Sequence, residues 1–408
     1  MTGNAKKSRL LELGMPLPLI CGILASFGDD AVNTVIMPIM ASVAEAFPEM
    51  PYATVTWLYS MPKIVIIPFA LLSGYLAGRK VKFKTMALVG LGIISVAGIA
   101  PAFLDGFWEI LASRMVLAVG LGLQAPIGPA LVMRFFADPA RRSTMLGLGN
   151  GVLNGASIVT GMLVGNLCLI NWRVSFLAYG LMAILFLITL FCLKEPPAVP
   201  VGSEASLGRE ARKSGIPAAV IALCCFFALV DCVWMPVSMD LSSVLAANGW
   251  GNSATTGYLI SLISIAGFLV SMVFGIYCHW LRYYNITGSL CLMAVAVALI
   301  YFANGVAMIG IGLFLGGAAF SLIICGIQNE IGALCHPSQM AFATGLFMVF
   351  EHLGGFMSSW WLALVLDAFG QEAFLAPAGV AIIFFAVSAL ALAFYGSWRK
   401  RTSKMHSA

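Results

Sequence analysis

Residues 182–193 read Met-Ala-Ile-Leu-Phe-Leu-Ile-Thr-Leu-Phe-Cys-Leu and contain no charged side chain. They do not alternate between polar and apolar, as a strand of a membrane barrel would, so they predict a helix. Similar runs recur along the chain of 408 residues, of which 61% are hydrophobic and 10% charged. Soluble domains carry about 25% charged residues, and a spanning helix needs roughly 20 apolar residues. The sequence therefore predicts an all-α membrane protein.

Twelve apolar segments predict twelve transmembrane helices. The polar stretch 194–215 separates the first six from the last six, and its prolines and charges are typical of a linker. We therefore expect two pseudo-symmetric six-helix bundles, residues 1–193 and 216–408, joined by a cytoplasmic linker at 194–215. The predicted segments are 15–44, 53–77, 84–103, 108–134, 144–168, 175–193, 216–238, 254–277, 286–304, 306–332, 339–366 and 373–396.

The lysine and arginine residues predict the orientation. With the N-terminus in the cytoplasm, 19 of the 22 fall in cytoplasmic loops and tails, and Arg173 alone falls outside. The other two, Lys63 and Arg114, lie within predicted helices. We therefore expect a multi-pass protein of the cell membrane with both termini in the cytoplasm. Because the basic residues lie in short loops, the net charge of +5 does not indicate binding to nucleic acid.

Local patterns in the first half resemble those of the major facilitator superfamily. The loop that runs from Gly74 to Lys80 is similar to the family's Gly-x-Leu-Ala-Asp-Arg signature, with Gly78 where an aspartate is usual, followed by Arg79. Arg114 precedes a glycine-rich stretch, as in the family's Arg-x-x-x-Gly pattern, although alanine replaces the first glycine. The resemblance covers the whole chain and implies the major facilitator fold.

Two further patterns resemble those of proton-driven exporters within that family. Asp29 and Asp30 precede Pro38 at the spacing of an acidic motif in the first helix of drug exporters. The row Gly147, Gly151 and Gly155 is similar to a glycine-rich antiporter motif. Glycines spaced every four residues also allow two helices to approach closely in lipid. The resemblance implies a conformational role for five positions, namely Gly74, Arg79, Gly147, Gly151 and Gly155.

Charged side chains deep in the predicted helices are candidates for proton coupling, because each costs at least about 2.5–3.5 kcal/mol at a helix centre. A carboxyl group there can take a proton from one side and release it to the other. For Asp29 the alternative is a static ion pair with Lys63, and for Asp231 it is a carboxyl group capped by local hydroxyls or water. The candidates are Asp29, Asp30, Arg114, Asp231, Glu351 and His352.

Three more of these candidates have alternative interpretations. Glu351 and His352 form either a proton relay, since histidine titrates near neutrality, or a packed pair. The resemblance implies that Arg114 couples proton and substrate movement, and the alternative is a structural bond between helices. We expect a mixture of polar and apolar side chains to line a substrate site, and packing is the alternative for the aromatic ones. These residues are Asn33, Lys63, Gln124, Asn150, Asn154, Trp234, Met235 and Phe320.

These features favour a secondary transporter that works by alternating access, with proton-coupled export of a lipophilic or cationic compound. The alternative is an importer or exchanger of a small organic anion that Lys63 and Arg114 would grip. A membrane sensor or intramembrane enzyme is a third class, but the sequence shows no phosphate-binding loop and no zinc or hydrolase motif. We expect a non-enzymatic monomer in the lipid bilayer whose partners are a small-molecule substrate and protons, without cofactor or metal.

Overall fold

A computed structural model of the protein describes residues 16–27, 35–78, 80–136, 139–196, 216–281, 284–335, 340–370 and 375–405. In these ranges nearly all residues are helical, and every predicted segment coincides with one or two helices. Ten helical stretches are long and apolar enough to cross a membrane, while Ile36–Ala46 and Asn285–Tyr301 are shorter apolar helices. The predicted all-α membrane fold is confirmed.

The helices begin and end close to the predicted bounds. Short 3₁₀ turns at Ala100–Phe103 and Val174–Tyr179 extend two of the spans. The α-helices are α1 (Leu17–Ala25), α2 (Ile36–Ala46), α3 (Tyr52–Val55), α4 (Trp57–Leu76), α5 (Phe83–Ile99), α6 (Phe107–Gln124), α7 (Ile127–Phe135), α8 (Pro139–Cys168), α9 (Gly180–Cys192), α10 (Ala218–Met239), α11 (Leu241–Ala247), α12 (Ser253–Leu281), α13 (Asn285–Tyr301), α14 (Val306–Leu334), α15 (Met340–Phe369) and α16 (Ala376–Met405).

The described residues form two compact units. The first draws on residues 1–33, 65–157 and 176–199. Within it, α5 packs against α6 and α9, and a Cβ added at Gly120 would lie 2.8 Å from the carbonyl oxygen of Gly90. The two backbones can meet this closely only because glycine leaves the space empty, which is the use of small residues expected between membrane helices.

The loop between α4 and α5 explains why Gly78 replaces the aspartate of the family signature. Gly78 has a φ of 72°, a conformation that glycine adopts without steric cost. Its N–H donates to the carbonyl oxygen of Val81 at 2.8 Å, and the ring of Phe83 occupies the space that a Cβ would need. An aspartate at position 78 would therefore displace this ring.

Glu195, at the start of the predicted linker, caps the N-terminus of α5. Its carboxylate oxygens accept hydrogen bonds from the backbone N–H groups of Phe83, at 2.8 Å, and of Lys84, at 3.1 Å. A carboxylate in this position satisfies donors that the helix itself leaves without partners, and it interacts favourably with the positive end of the helix dipole. The first residues of the linker thus belong structurally to the first unit.

The second unit draws on residues 34–64, 158–175 and 200–408. Within it, α10 packs against α15, and α13 packs against α14 and α16. The early helix α2 packs against α11 and α12. This unit thus combines early and late parts of the chain. The division into halves at 1–193 and 216–408 remains a prediction.

The close contacts of α8 that the structure describes lie at glycines other than Gly147 and Gly155. A Cβ added at Gly147 or Gly155 would meet no atom within 4 Å among the described residues. Close approach occurs farther along the helix, where a Cβ at Gly165 would lie 2.6 Å from the carbonyl oxygen of Ser253 and one at Gly257 would overlap the backbone of Gly161. The described residues therefore show no close contact at Gly147 or Gly155, and the predicted role of the row stays a prediction.

Candidate functional site

Lys63 and Asp231 are brought together inside the second unit. Lys63 lies on α4 and Asp231 on α10, and the two side chains interact electrostatically. Asp231 is only 2% exposed, and its Oδ2 has no hydrogen-bond partner among the described residues. Lys63 is partly exposed. The site therefore contains a buried acid beside a base, and the acid keeps one oxygen able to accept a further donor.

Gly355 on α15 makes room for both side chains. A Cβ added there would lie 3.2 Å from Oδ2 of Asp231 and 3.2 Å from Cδ and Cε of Lys63. Such distances are shorter than ordinary van der Waals contacts between these atoms. Three helices thus meet at one point, and the missing side chain of the third leaves the space that the acid and the base occupy.

An aromatic ring and a thioether form the neighbouring wall of this site. The Nζ of Lys63 lies 5.2 Å from the centre of the Tyr59 ring, a geometry typical of a cation–π contact. Tyr59 is one helical turn before Lys63, so both side chains lie on the same face of α4. The hydroxyl group of Tyr59 donates to Sδ of Met235 at 3.0 Å. One charged group, one aromatic ring and one polarisable sulfur atom together suit a planar or lipophilic cation.

A second buried charge lies in the first unit. Arg114 on α6 is 1% exposed, and its Nη1 donates a short hydrogen bond to the hydroxyl group of Tyr179. The guanidinium carbon also lies 5.8 Å from the centre of the Tyr179 ring. Tyr179 is itself stacked on Phe176 at a centroid distance of 6.4 Å. The contact gives Arg114 a bond between helices, one of its two predicted roles, and leaves its role in coupling as a prediction.

Several predicted cavity residues are buried in packing contacts instead. Gln124 is 0% exposed, and its Nε2 donates weakly to the carbonyl oxygen of Ser26 at 3.4 Å. Trp234 is 1% exposed, and its ring fills the space beside Gly316. Both side chains lie in packing contacts among the described residues, and their part in a substrate site stays a prediction. Glycines on neighbouring helices let these large side chains turn into the core.

The other predicted residues that the structure describes remain candidates. Asn154 and Met235 are half-buried, and the ring of Phe320 lies 5.8 Å from that of Phe227 at an angle of 33°. Glu351 and His352 are half-buried on α15, where Nδ1 of His352 lies 2.9 Å from the carbonyl oxygen of the preceding helical turn. A Cβ added at Gly74 would meet nothing within 4 Å.

Some predicted residues lie outside the described part of the chain. These are Asp29, Asp30, Asn33 and Arg79, together with the side chain of Asn150. The predicted pair between Asp29 and Lys63 is therefore neither seen nor excluded, and Asp231 is the acid that the described residues place beside Lys63.

Sequence reasoning missed three contributors to these sites. Tyr59 had a usable signal, because it precedes Lys63 by one turn on the same helix. Gly355 and Tyr179 had none, because their importance depends on which helix lies opposite. Glycine in an apolar segment is common, and only the packed structure shows that Gly355 leaves space for the side chains of Lys63 and Asp231.

The spanning helices and the charges buried between them define a polytopic membrane transport protein. The sequence profile of the Major Facilitator Superfamily matches residues 19–359. The chain belongs to this superfamily.

Relatives of known name match shorter stretches. The chain is 26% identical over 187 residues to the Major facilitator superfamily multidrug transporter mfsC of Aspergillus fumigatus, a match that covers 42% of this chain and 35% of that protein. It is 29% identical over 124 residues to the methylenomycin A resistance protein of Streptomyces coelicolor, covering 30% and 26% of the two chains. The matches span about a quarter to a third of the length of these curated relatives.

A solved structure matches almost the whole chain. A bacterial homologue of the human lysosomal transporter Spinster, in an inward-facing and unoccupied conformation, has a TM-score of 0.75 at 14% identity. The match covers 93% of this chain and 96% of that one. At this identity the likeness establishes the fold alone.

Proposed function

We propose that this protein is a secondary transporter that exports a lipophilic or cationic organic compound in exchange for protons. The observation that carries the proposal is the buried carboxyl group of Asp231 beside Lys63, with the ring of Tyr59 at its side. Two relatives that match over part of their length are named as a multidrug transporter and an antibiotic resistance protein, which supports this class of substrate.

The chemistry of the pair supports exchange. As long as Asp231 is ionised and next to Lys63, the two charges compensate each other, which a low-dielectric site requires. A proton that binds Asp231 removes the counter-charge of Lys63, and the ammonium group then has to find water or another acid. A cationic substrate would compete with the proton for the same carboxylate. Because the carboxylate holds one or the other, movement of the substrate is tied to movement of the proton.

The wider machine in this proposal is alternating access. The bundles 1–193 and 216–408 would rock about a site near the membrane midplane, in a monomer of the cell membrane with cytoplasmic termini. Asp29, Asp30 and the adjacent Glu351 and His352 remain candidates for the proton route. Arg114 would then either hold its helices together or change partners as the bundles move.

The competing proposal is an exchanger of small organic anions. Lys63 and Arg114 supply its positive charges. The position of Asp231 favours the cation exporter, because a carboxylate beside Lys63 already compensates the charge that an anion would need.

The test is transport in proteoliposomes with a trapped pH indicator. Ethidium and tetraphenylphosphonium serve as cationic probes and radiolabelled salicylate as the anionic probe. We expect cation flux coupled to opposite proton flux, lost in Asp231→Asn and in Asp29→Asn. The matched control is Asp367→Asn, because Asp367 is exposed on α15, and it should transport normally.

Two results would overturn this function. Cation flux that ignores an imposed pH gradient would rule out proton coupling. Salicylate flux that needs Lys63 and persists in Asp231→Asn would establish the anion exchanger instead.

A further inference from the structure

A second buried acid, Asp240, lies at the break between α10 and α11. It is 1% exposed, and neither of its carboxyl oxygens has a hydrogen-bond partner of normal geometry among the described residues. It lies at the opposite end of α10 from the linker, the end predicted to be extracellular. A polar group buried in this way costs free energy unless something compensates it.

The groups recorded around Asp240, among the residues that the structure describes, are polar and uncharged. The hydroxyl group of Tyr52 lies beside the carboxyl group, and Oγ of Ser243 donates to that hydroxyl group at 3.1 Å. Oγ of Ser242 accepts a hydrogen bond from the backbone N–H of Ala41 at 3.1 Å. Hydroxyl groups and a backbone group from α2, α3 and α11 thus meet around one acid.

The chain segments that supply these groups contain no base that can compensate a carboxylate. Residues 35–62, which include α2 and α3, and residues 232–278, which include α11 and most of α12, contain no lysine, arginine or histidine. The other acids in these ranges, Glu45 and Glu49, are exposed. Tyr52 is the titratable group that faces Asp240 within the described part of the chain. An isolated carboxylate in such a place costs several kcal/mol, whereas a neutral carboxyl group costs much less.

The hydrogen bonds around Asp240 also hold the ends of the neighbouring helices together. Tyr52 and Ser243 join α3 to α11, while Ala41 and Ser242 join α2 to α11. One turn deeper, Thr56 donates to Oγ of Ser359 at 2.7 Å, which ties this region to α15. Separation of these helix ends would break the bonds and admit water to Asp240.

We infer that Asp240, Tyr52 and Ser243 form a proton-binding site that closes the extracellular end of these helices. With its proton, Asp240 is neutral and the helix ends stay together. When the ends separate, water stabilises the carboxylate and the proton leaves. A proton taken from the outside lets the ends close again, which follows substrate release in the proposed exporter. Because this site releases and binds its proton on the same side, it gates the extracellular end and carries no net proton across the membrane. This inference rests on the proposed function for its direction, but not for the site itself.

The test measures opening of the helix ends directly and needs no substrate. Spin labels on noncanonical amino acids replace the exposed Ala46 at the end of α2 and Ala247 at the end of α11, and their distance is measured in nanodiscs between pH 5 and 9. We expect a longer distance to become populated as the pH rises. If one proton is released per opening, the ratio of open to closed molecules changes by at most about tenfold per pH unit.

Three variants make the result specific. Asp240→Asn should keep the short distance at every pH, because the amide is neutral throughout, and Asp240→Glu should keep the pH response. Asp367→Asn, at the exposed end of α15, should behave like the wild type. Size-exclusion profiles check that Asp240→Asn is folded. If Asp240→Asn does not fold, Asp240→Glu still tests the site, because it keeps a titratable group at this position.

A pH response that persists unchanged in Asp240→Asn would overturn the site, as would a wild-type distance that does not change with pH. The proposed function fails separately, through proton-independent flux in proteoliposomes. A pH-dependent distance in a protein with proton-independent flux would therefore retain the site and refute the exporter.

Discussion

Removing the members of the Lys63–Asp231 pair one at a time should destabilise the protein unequally. Asp231 is buried and Lys63 is partly exposed. Lys63→Met leaves a buried carboxylate without its base, and losing one partner of a buried pair costs about 3–5 kcal/mol. Asp231→Asn leaves an ammonium group whose flexible stem lets it reach water, so we expect a smaller loss of about 1–2 kcal/mol.

The double variant makes this prediction stringent. Lys63→Met with Asp231→Asn leaves no charge at the site, so its loss should be clearly smaller than the sum of the two single losses. The resulting coupling energy should be about 2 kcal/mol, within the range seen for residues in contact. The free energy of unfolding is measured in mixed micelles by titration with dodecyl sulfate, followed through tryptophan fluorescence at pH 7. Additive losses, or a larger loss for Asp231→Asn than for Lys63→Met, would refute the reasoning.

Two further predictions use the same unfolding assay. Tyr179→Phe removes the hydroxyl group that accepts a hydrogen bond from Arg114. It should lower the free energy of unfolding by about 1.5–3 kcal/mol because the lost bond involves a charged group. A loss below about 0.5 kcal/mol would show that Arg114 is held by other partners. Gly257→Ala places a methyl group against the backbone of α8 and should cost about 1–3 kcal/mol. Gly155→Ala, where a Cβ meets no described atom within 4 Å, should be neutral or slightly stabilising. Equal effects of the two substitutions would contradict the assignment of the close contact.

The fold was predictable because the membrane imposes a simple length rule. Each apolar run of about 20 residues has one stable form, so segments such as 306–332 and 254–277 matched the observed helices closely. The breaks were less visible. The sequence indicates only that an apolar segment ends near Pro236, and it does not show that α10 continues through Pro236 to Met239. Asp240 lay just beyond that predicted end, and this is why it escaped notice.

The partners of the charged residues were not predictable in the same way. Lys63 and Asp231 are far apart in the sequence, and nothing in either segment shows which faces meet. The sequence favours Asp29 as the partner of Lys63 because the two residues lie at similar depth in their predicted helices. The same problem affects Trp234, whose burial depends on the space left by Gly316 on another helix. Side-chain type indicates what a residue can do, but helix packing determines what it contacts.

The cap that Glu195 forms on α5 has a practical consequence for dividing the polypeptide. Co-expression of two fragments is a common way to ask whether a connecting peptide is needed. A cut placed just after residue 193 would move the capping carboxylate to the wrong fragment and expose the start of α5. A cut placed after residue 200 would keep it with its own helix, so complementation by fragments is a fair test of the connection only at the later position.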